Sequence, residues 1–295
     1  MKAKFQTVGI IAKRHITGLS DTLLTLINLL KSKKLNVILE TDTAELLSIK
    51  HGLPTLPHEN LGKKCDLLIV IGGDGCMLSA AHTAAINNTP IIGINRGRLG
   101  FLTDIKPNEI DLKINSILQG NYREENRFLL QTKLDDSASK QQLALNEVVL
   151  TAGESSHMIE FEIYINNDFM FSHRADGVII STPTGSTAYS LSGGGPILHP
   201  NLDAIVMVPM FPHTLTSRPI VVDANQKIKI TIAKNNKIPA YFSCDGKNYI
   251  SVKPGKSFVI QKFTNPLKLI HPKEYNYFET LRSKLYWGQK LPDNE

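Results

Sequence analysis

Gly72-Gly73-Asp74-Gly75 sets a carboxylate among glycines at the end of an apolar run, where a phosphate-cradling loop would present only backbone N–H groups. A carboxylate repels phosphate, so Asp74 suits removal of a proton from a substrate hydroxyl or support of a metal ion. The same residues also suit a tight turn with a helix-capping aspartate. A second stretch, Thr182 to Pro196, holds six hydroxyl side chains, four glycines and the ring of Tyr189. It reads either as an ordinary polar loop or as a close approach to the sugar and base of a nucleotide. Asn146-Glu147 breaks the apolar run Leu143 to Leu150, and polar groups in a buried strand need partners, either ligand hydroxyls or a structural network. Arg174 and Asp176, in Phe171 to Gly177, read first as a surface ion pair. His157 reads as a structural residue or a ligand contact. Cys76, just after the glycine turn, reads as packing, although a helix start enhances thiolate character.

The elements that must position these residues follow from hydrophobic pattern. Leu67 to Ile71 is unbroken apolar sequence, β-branched at its last three positions, and predicts a strand buried on both faces of a parallel sheet. A glycine turn and a helix from Met77 to Ile86 follow. Strands at Val8 to Ala12, Asn36 to Leu39 and Ile91 to Ile94, with helices at Ser20 to Lys33 and Asn108 to Gln119, predict a parallel α/β sheet. Asp74 and Asn95-Arg96-Gly97-Arg98-Leu99-Gly100 then fall beyond carboxyl ends of strands, where such sheets bind ligands. From Arg127 the pattern turns to strands: 127–134, 143–151, 158–165, 169–174, 177–181, 205–208, 219–222, 227–232, 240–244 and 257–263. Turn chemistry falls at Asp135-Asp136-Ser137 and Asn166-Asn167-Asp168. The expected domains are 1–126, completed by about 269–295, and 127–268. A helix over Tyr275 to Trp287 is expected to return to the first.

The chain has 295 residues, 42% of them hydrophobic and 20% charged, which fits a globular protein with a sizeable core. A formal charge of +6 favours anionic ligands such as nucleotides. Basic residues are scattered, apart from Lys31, Lys33 and Lys34, which argues against a nucleic-acid surface. Cys65, Cys76 and Cys244 are odd in number and unpaired in spacing, so neither a disulfide framework nor a structural zinc site is expected. Histidines do not cluster at metal-ligand spacing. No apolar run approaches the length of a membrane span or a signal core, and a cytoplasmic location is expected. The dinucleotide fingerprint of dehydrogenases and the lysine-bearing phosphate loop are both absent from the sequence.

Taken together, the sequence resembles the NAD kinases over nearly its whole length. The resemblance is carried by Gly72-Gly73-Asp74-Gly75, Asn95-Arg96-Gly97 with Leu99-Gly100-Phe101-Leu102, Asn146-Glu147, Arg174-Ala175-Asp176-Gly177 and Thr182 to Pro196. It implies an N-terminal α/β domain with a Rossmann-like parallel sheet, an all-β C-terminal domain that binds NAD, and a last segment that returns to the first. The implied activity is transfer of the ATP γ-phosphoryl group to the 2′-hydroxyl of the adenosine ribose of NAD, with Mg2+ or Mn2+. Asp74 would take the hydroxyl proton, and Gly72, Gly73 and Gly75 would form the phosphate loop, Gly75 approaching the substrate. Asn146 and Glu147 would orient the ribose, and Arg174 and Asp176 would position the dinucleotide. Thr187, Ala188, Tyr189, Ser190, Leu191 and Ser192 would frame the adenine, Tyr189 stacking on it, with His157 and Lys247 completing the set. Members form homo-oligomers, tetramers or dimers. Cys76 stands where many members carry threonine, which puts any hydroxyl contact to phosphate there in doubt. A lipid kinase sharing the glycine turn and a noncatalytic NAD sensor are the alternatives. The first lacks a membrane anchor in the sequence, and the second has no use for Asp74.

Overall fold

The computed structural model describes residues 5–13, 18–47, 52–96, 100–135, 140–153 and 157–287. Gly97, Arg98, Leu99, Asp136 and Ser137 of the motifs above lie outside the described residues. The chain divides into two compact units, Met1–Asn126 with Leu267–Glu295, and Arg127–Pro266.

The first unit is built on a seven-stranded, mostly parallel sheet in the order Thr55–Leu56, Asn36–Glu40, Thr7–Ala12, Leu67–Gly72, Ile91–Asn95, Leu267–Pro272, Tyr122–Arg127. Leu67–Gly72 is buried at every position and pairs in parallel with a strand on each side, Val8 opposite Leu67 and Ile92 opposite Ile69. Its continuous apolar run is what burial on both faces requires. Helix Leu19–Ser32 covers the sheet with Leu19, Leu23, Leu26, Ile27 and Leu30, spaced three and four apart on one face. Helix Asp74–Ile86 packs through the small side chains of Ala80, Ala81, Ala84 and Ala85. The returning segment begins with a strand, Leu267–Pro272, inserted beside Ile91–Asn95. Only then comes helix Tyr277–Leu285, whose first turn is capped by Asn276 through the N–H groups of Phe278 and Glu279. The expected C-terminal helix is therefore present, preceded by a strand the sequence reading omitted.

The second unit is an antiparallel sandwich of two six-stranded sheets. One runs Asp168–Ala175, Ile159–Ile165, Ile228–Ile232, Ser257–Lys262, Leu130–Leu134, Gln142–Ala144. The other runs Ile220–Asp223, Ala204–Met210, Gly177–Ser181, Glu147–Thr151, Ala240–Cys244, Lys247–Val252. Both bury alternate residues in a shared core, where Phe242 of one sheet stacks on Phe258 of the other at 4.6 Å. Asn166 and Asn167 take left-handed φ of 51° and 76° in a two-residue hairpin turn, so Asp168, expected in the turn, begins the next strand opposite Ile165. Two expected strands are each two. Residues 127–134 divide between Tyr122–Arg127 and Leu130–Leu134, and 143–151 divides between Gln142–Ala144 and Glu147–Thr151, which belong to different sheets.

Candidate functional site

The helix after the glycine turn starts at Asp74, three residues earlier than the apolar pattern predicted, so the carboxylate sits on its first turn. Gly72 ends the strand and Gly73 flanks the helix with φ −104°. Gly72, Gly73 and Gly75 all have negative φ. Left-handed backbone is therefore not why glycine is used. At Gly73 and Gly75 an added Cβ would meet no atom within 4 Å, so both leave open space beside Asp74 for a ligand. The Asp74 carboxylate does not hang free. Its Oδ2 accepts from Phe101 N at 2.9 Å and its Oδ1 from Leu102 N at 3.0 Å. Gly100 makes room for it, since a Cβ there would lie 2.1 Å from Asp74 Oδ1. Each oxygen keeps further acceptor capacity. Asn95, fully in the sheet, donates from Nδ2 to Thr103 Oγ1 at 2.9 Å and holds the same segment. Cys76 is buried in the helix.

In the second unit the break between Ala144 and Glu147 is the centre of the arrangement. Asn146 does not lie inside a strand, as its apolar surroundings suggested. It lies where the chain leaves one sheet and enters the other. The backbone N–H groups freed by that crossing are taken by one side chain. Asp245 Oδ2 accepts from Leu145 N at 2.8 Å, and its Oδ1 accepts from Asn146 N at 2.8 Å and Glu147 N at 3.1 Å. Asp245 and Gly246, with φ of 49° and 69°, form the hairpin turn between Ala240–Cys244 and Lys247–Val252. The Asn146 carbonyl accepts from Thr182 N at 2.9 Å and leaves Gly185 no room for a Cβ, which would lie 2.3 Å away.

Alternation then decides where Glu147 points. Val148 and Leu150 enter the sandwich core, so Glu147, Val149 and Thr151 face the other side of their sheet. There they line an open cavity of about 1170 Å³ with Tyr189, Tyr241, Ser243, Asp245 and Tyr249. Glu147 is 6% exposed, and its Oε2 has no hydrogen-bond partner among the described residues. Burial, with the Asp245 carboxylate nearby, pushes its carboxyl up to about 8.

The structure thus brings Glu147 and Tyr189 to one cavity. Tyr189 is half exposed at the start of the short helix Tyr189–Ser192. Most hydroxyls of the Thr182 stretch serve the loop itself. Thr182 Oγ1 donates to Leu145 O at 2.6 Å, Ser186 Oγ to Pro183 O at 2.7 Å, and Thr187 Oγ1 to Thr184 O at 3.2 Å, while Thr184 Oγ1 accepts from Arg127. Ser190 is fully buried with its hydroxyl under Gly195. Ala188 and Leu191 are half-buried and Ser192 is exposed. Arg174, Asp176, His157 and Lys247 are exposed and are not among the cavity's lining residues. The sequence reading missed Asp245, Tyr241 and Ser243, and it quoted Phe101 and Leu102 within a motif without giving their amides a role. The Asp-Gly pair after the expected strand 240–244 was a readable turn signal; its partnership with Leu145–Glu147, a hundred residues away, was not. None of the three cysteines is in a disulfide and all are buried; burial pushes the Cys65 thiol up to about 12 and raises Cys244 as well.

Two family models match this chain, the ATP-NAD kinase N-terminal domain over residues 8–122 and the ATP-NAD kinase C-terminal domain over residues 145–272. Among curated relatives, the NAD kinase of Coxiella burnetii is 52% identical over 291 residues, covering 98% of this chain and 97% of the relative. That of Pseudomonas putida is 50% identical over 294 residues, 99% of each. Among solved structures, yeast NADH kinase complexed with NADH superposes with a TM-score of 0.87 at 26% identity, over 100% of this chain and 94% of its own. An NAD kinase from Archaeoglobus fulgidus shares the fold at a TM-score of 0.76 and 24% identity, over 94% of this chain and 99% of its own.

Proposed function

Since the chain belongs to the ATP-NAD kinase family, we propose that it transfers the γ-phosphoryl group of ATP to the 2′-hydroxyl of the adenosine ribose of NAD, yielding NADP. The observation that carries the reading is Glu147: a buried carboxyl with an unpaired oxygen, in a cavity of about 1170 Å³ that Tyr189 also lines. Such an oxygen is relieved by a ligand hydroxyl, and an exposed tyrosine ring offers a face to a base. Asn146 and Glu147 orient the ribose. Tyr189 stacks on the adenine, framed by Thr187, Ala188, Ser190, Leu191 and Ser192, of which Ser190 acts through its backbone. Arg174, Asp176, His157 and Lys247 contact the remainder of the dinucleotide.

Asp74 is the acceptor for the hydroxyl proton. Phosphoryl transfer needs the attacking oxygen held in line while its proton leaves, and a carboxylate gripped by two backbone N–H groups is a fixed acceptor. The open space at Gly73 and Gly75 admits the phosphates. Among the described residues no group of three His, Cys, Asp or Glu is arranged to hold a metal. A divalent cation would therefore arrive on the nucleotide, with Asp74 as the carboxylate at hand, because Mg2+ binds through substrate phosphates, waters and one or two carboxylates. When bound, such a cation, Mg2+ or Mn2+, neutralises charge on the phosphates. We place the enzyme in the cytoplasm as a homo-oligomer, dimer or tetramer. Three cysteines outside any disulfide accord with a reducing compartment, and no described helix is long and apolar enough to cross a membrane.

The test is NADP formation from NAD, ATP and Mg2+ by wild type and by Asp74→Asn. The amide supplies one acceptor where two N–H groups need one each, so this variant also loses a loop hydrogen bond, about 1 kcal/mol. Loss of a general base costs roughly 10² to 10⁴ in kcat. A fall below tenfold would reduce Asp74 to a loop anchor, and absence of NADP from the wild type would overturn the reading.

A further inference from the structure

The strand Leu267–Pro272 carries a buried histidine to the segment that grips Asp74. His271 is 2% exposed, and its Nδ1 donates to Asp104 Oδ2 at 2.8 Å. The ring stacks on Tyr275 with centroids 3.8 Å apart and planes 8° apart, and Nε2 lies 3.9 Å from the buried Glu125 carboxylate. Asp104 belongs to residues 100–105, the stretch that offers Phe101 N and Leu102 N to Asp74. Its neighbours are also held: Thr103 Oγ1 accepts from Asn95 Nδ2, and the Ile105 carbonyl accepts from Asn95 N at 2.7 Å. This stretch has no helix of its own and only an isolated bridge at Ile105, so before Ile105, where backbone bonds to Gly93 and Asn95 take hold, side-chain anchors shape it.

We propose that His271 is a positioning residue for Asp74. Its Nδ1–H fixes Asp104, and the 100–105 segment passes that constraint to the two amides that aim the carboxylate. The inference rests on the reading of Asp74 as the proton acceptor, and it assigns the role to the donor on the imidazole rather than to the ring. His271→Phe keeps a ring against Tyr275 and removes the donor. His271→Asn restores an N–H near the Nδ1 position.

The experiment uses the full-length chain. In His271→Phe the amides of Phe101 and Leu102 should exchange hydrogen at least about tenfold faster, while those of Leu67–Gly72 stay as in the wild type. Its kcat for NADP formation should fall roughly 10- to 100-fold, the effect of a small misplacement of a reacting group, with an unchanged NAD dissociation constant. His271→Asn should recover most of both. Should His271→Phe fail to fold, His271→Gln replaces it, since its amide reaches toward Glu125 and not Asp104. Unchanged exchange at Phe101 and Leu102, an undiminished kcat in a folded variant, or no recovery with His271→Asn would each overturn the proposal. If the wild type itself forms no NADP, the reading of the reaction fails, and the exchange measurement still decides whether His271 orders the amides that hold Asp74.

Discussion

Replacing Glu147 by glutamine should make the ligand-free protein more stable at alkaline pH while leaving it almost unchanged in acid. The carboxyl is 6% exposed, has an unpaired Oε2, and titrates near 8 instead of the ordinary 4.5 because burial, and then the Asp245 carboxylate, oppose its charge. Below about pH 4.5 the folded and unfolded chains both carry this proton, and it contributes no difference. Between 4.5 and 8 the unfolded chain gives the proton up and the folded chain keeps it, so stability falls as pH rises. Above 8 the loss is complete. At about 1.4 kcal/mol per pH unit, the gap between 4.5 and 8 sets an upper bound of roughly 5 kcal/mol. Glutamine keeps the shape and carries no such penalty. Urea unfolding of both proteins at pH 5, 7 and 9 measures it: the variant's advantage should be small at pH 5 and grow to several kcal/mol at pH 9. Parallel pH curves would refute the argument that Glu147 is held as a neutral acid. The same side chain is read as a ribose contact, so Glu147→Ala should weaken NAD binding about tenfold or more by calorimetry. An unchanged dissociation constant would make the residue structural.

Cys76→Thr should remain folded and keep most of its activity, because Cys76 is a buried helical residue; a folded, inactive variant in a kinase assay would give the thiol a part in the chemistry. Gly100→Ala puts a methyl group 2.1 Å from Asp74 Oδ1 and 2.5 Å from Thr103 Oγ1, so the carboxylate has to move. Its kcat should drop by about tenfold or more with NAD affinity retained, and a variant as active as the wild type would show that the position of Asp74 is not critical.

Much of the fold was legible because burial leaves a periodic mark. Leu67 to Ile71 announced a central parallel strand, and the Leu19–Ser32 helix declared its buried face at spacings of three and four. What stayed hidden carries no such mark. Tyr122–Arg127 is a charged edge strand of its sheet, and Lys247–Val252 is exposed at most positions on the edge of another. The division of 143–151 was invisible for a different reason. Ala144, Val148 and Leu150 all enter the same core although they sit in different sheets, so the apolar run continues across a point where the hydrogen-bonding partner changes.

The candidate site shows the same boundary between residue type and partnership. A carboxylate among glycines singled out Asp74 as a candidate proton acceptor, with a helix-capping turn as the equal reading of those four residues. Its orientation was not readable, because that depends on two amides and on Gly100, far along the chain. The glycines were expected to let a substrate come close, and at Gly73 and Gly75 the backbone is ordinary and what they supply is open space. At Asn146-Glu147 the expectation of a polar pair in need of partners divides into two outcomes. The backbone demand is met within the protein by Asp245, which accepts three N–H groups, whereas the Glu147 carboxyl is left unsatisfied toward the cavity. On the proposed function, the unmet half of that demand is the one a ligand hydroxyl would answer, whereas the half met by Asp245 holds the fold together.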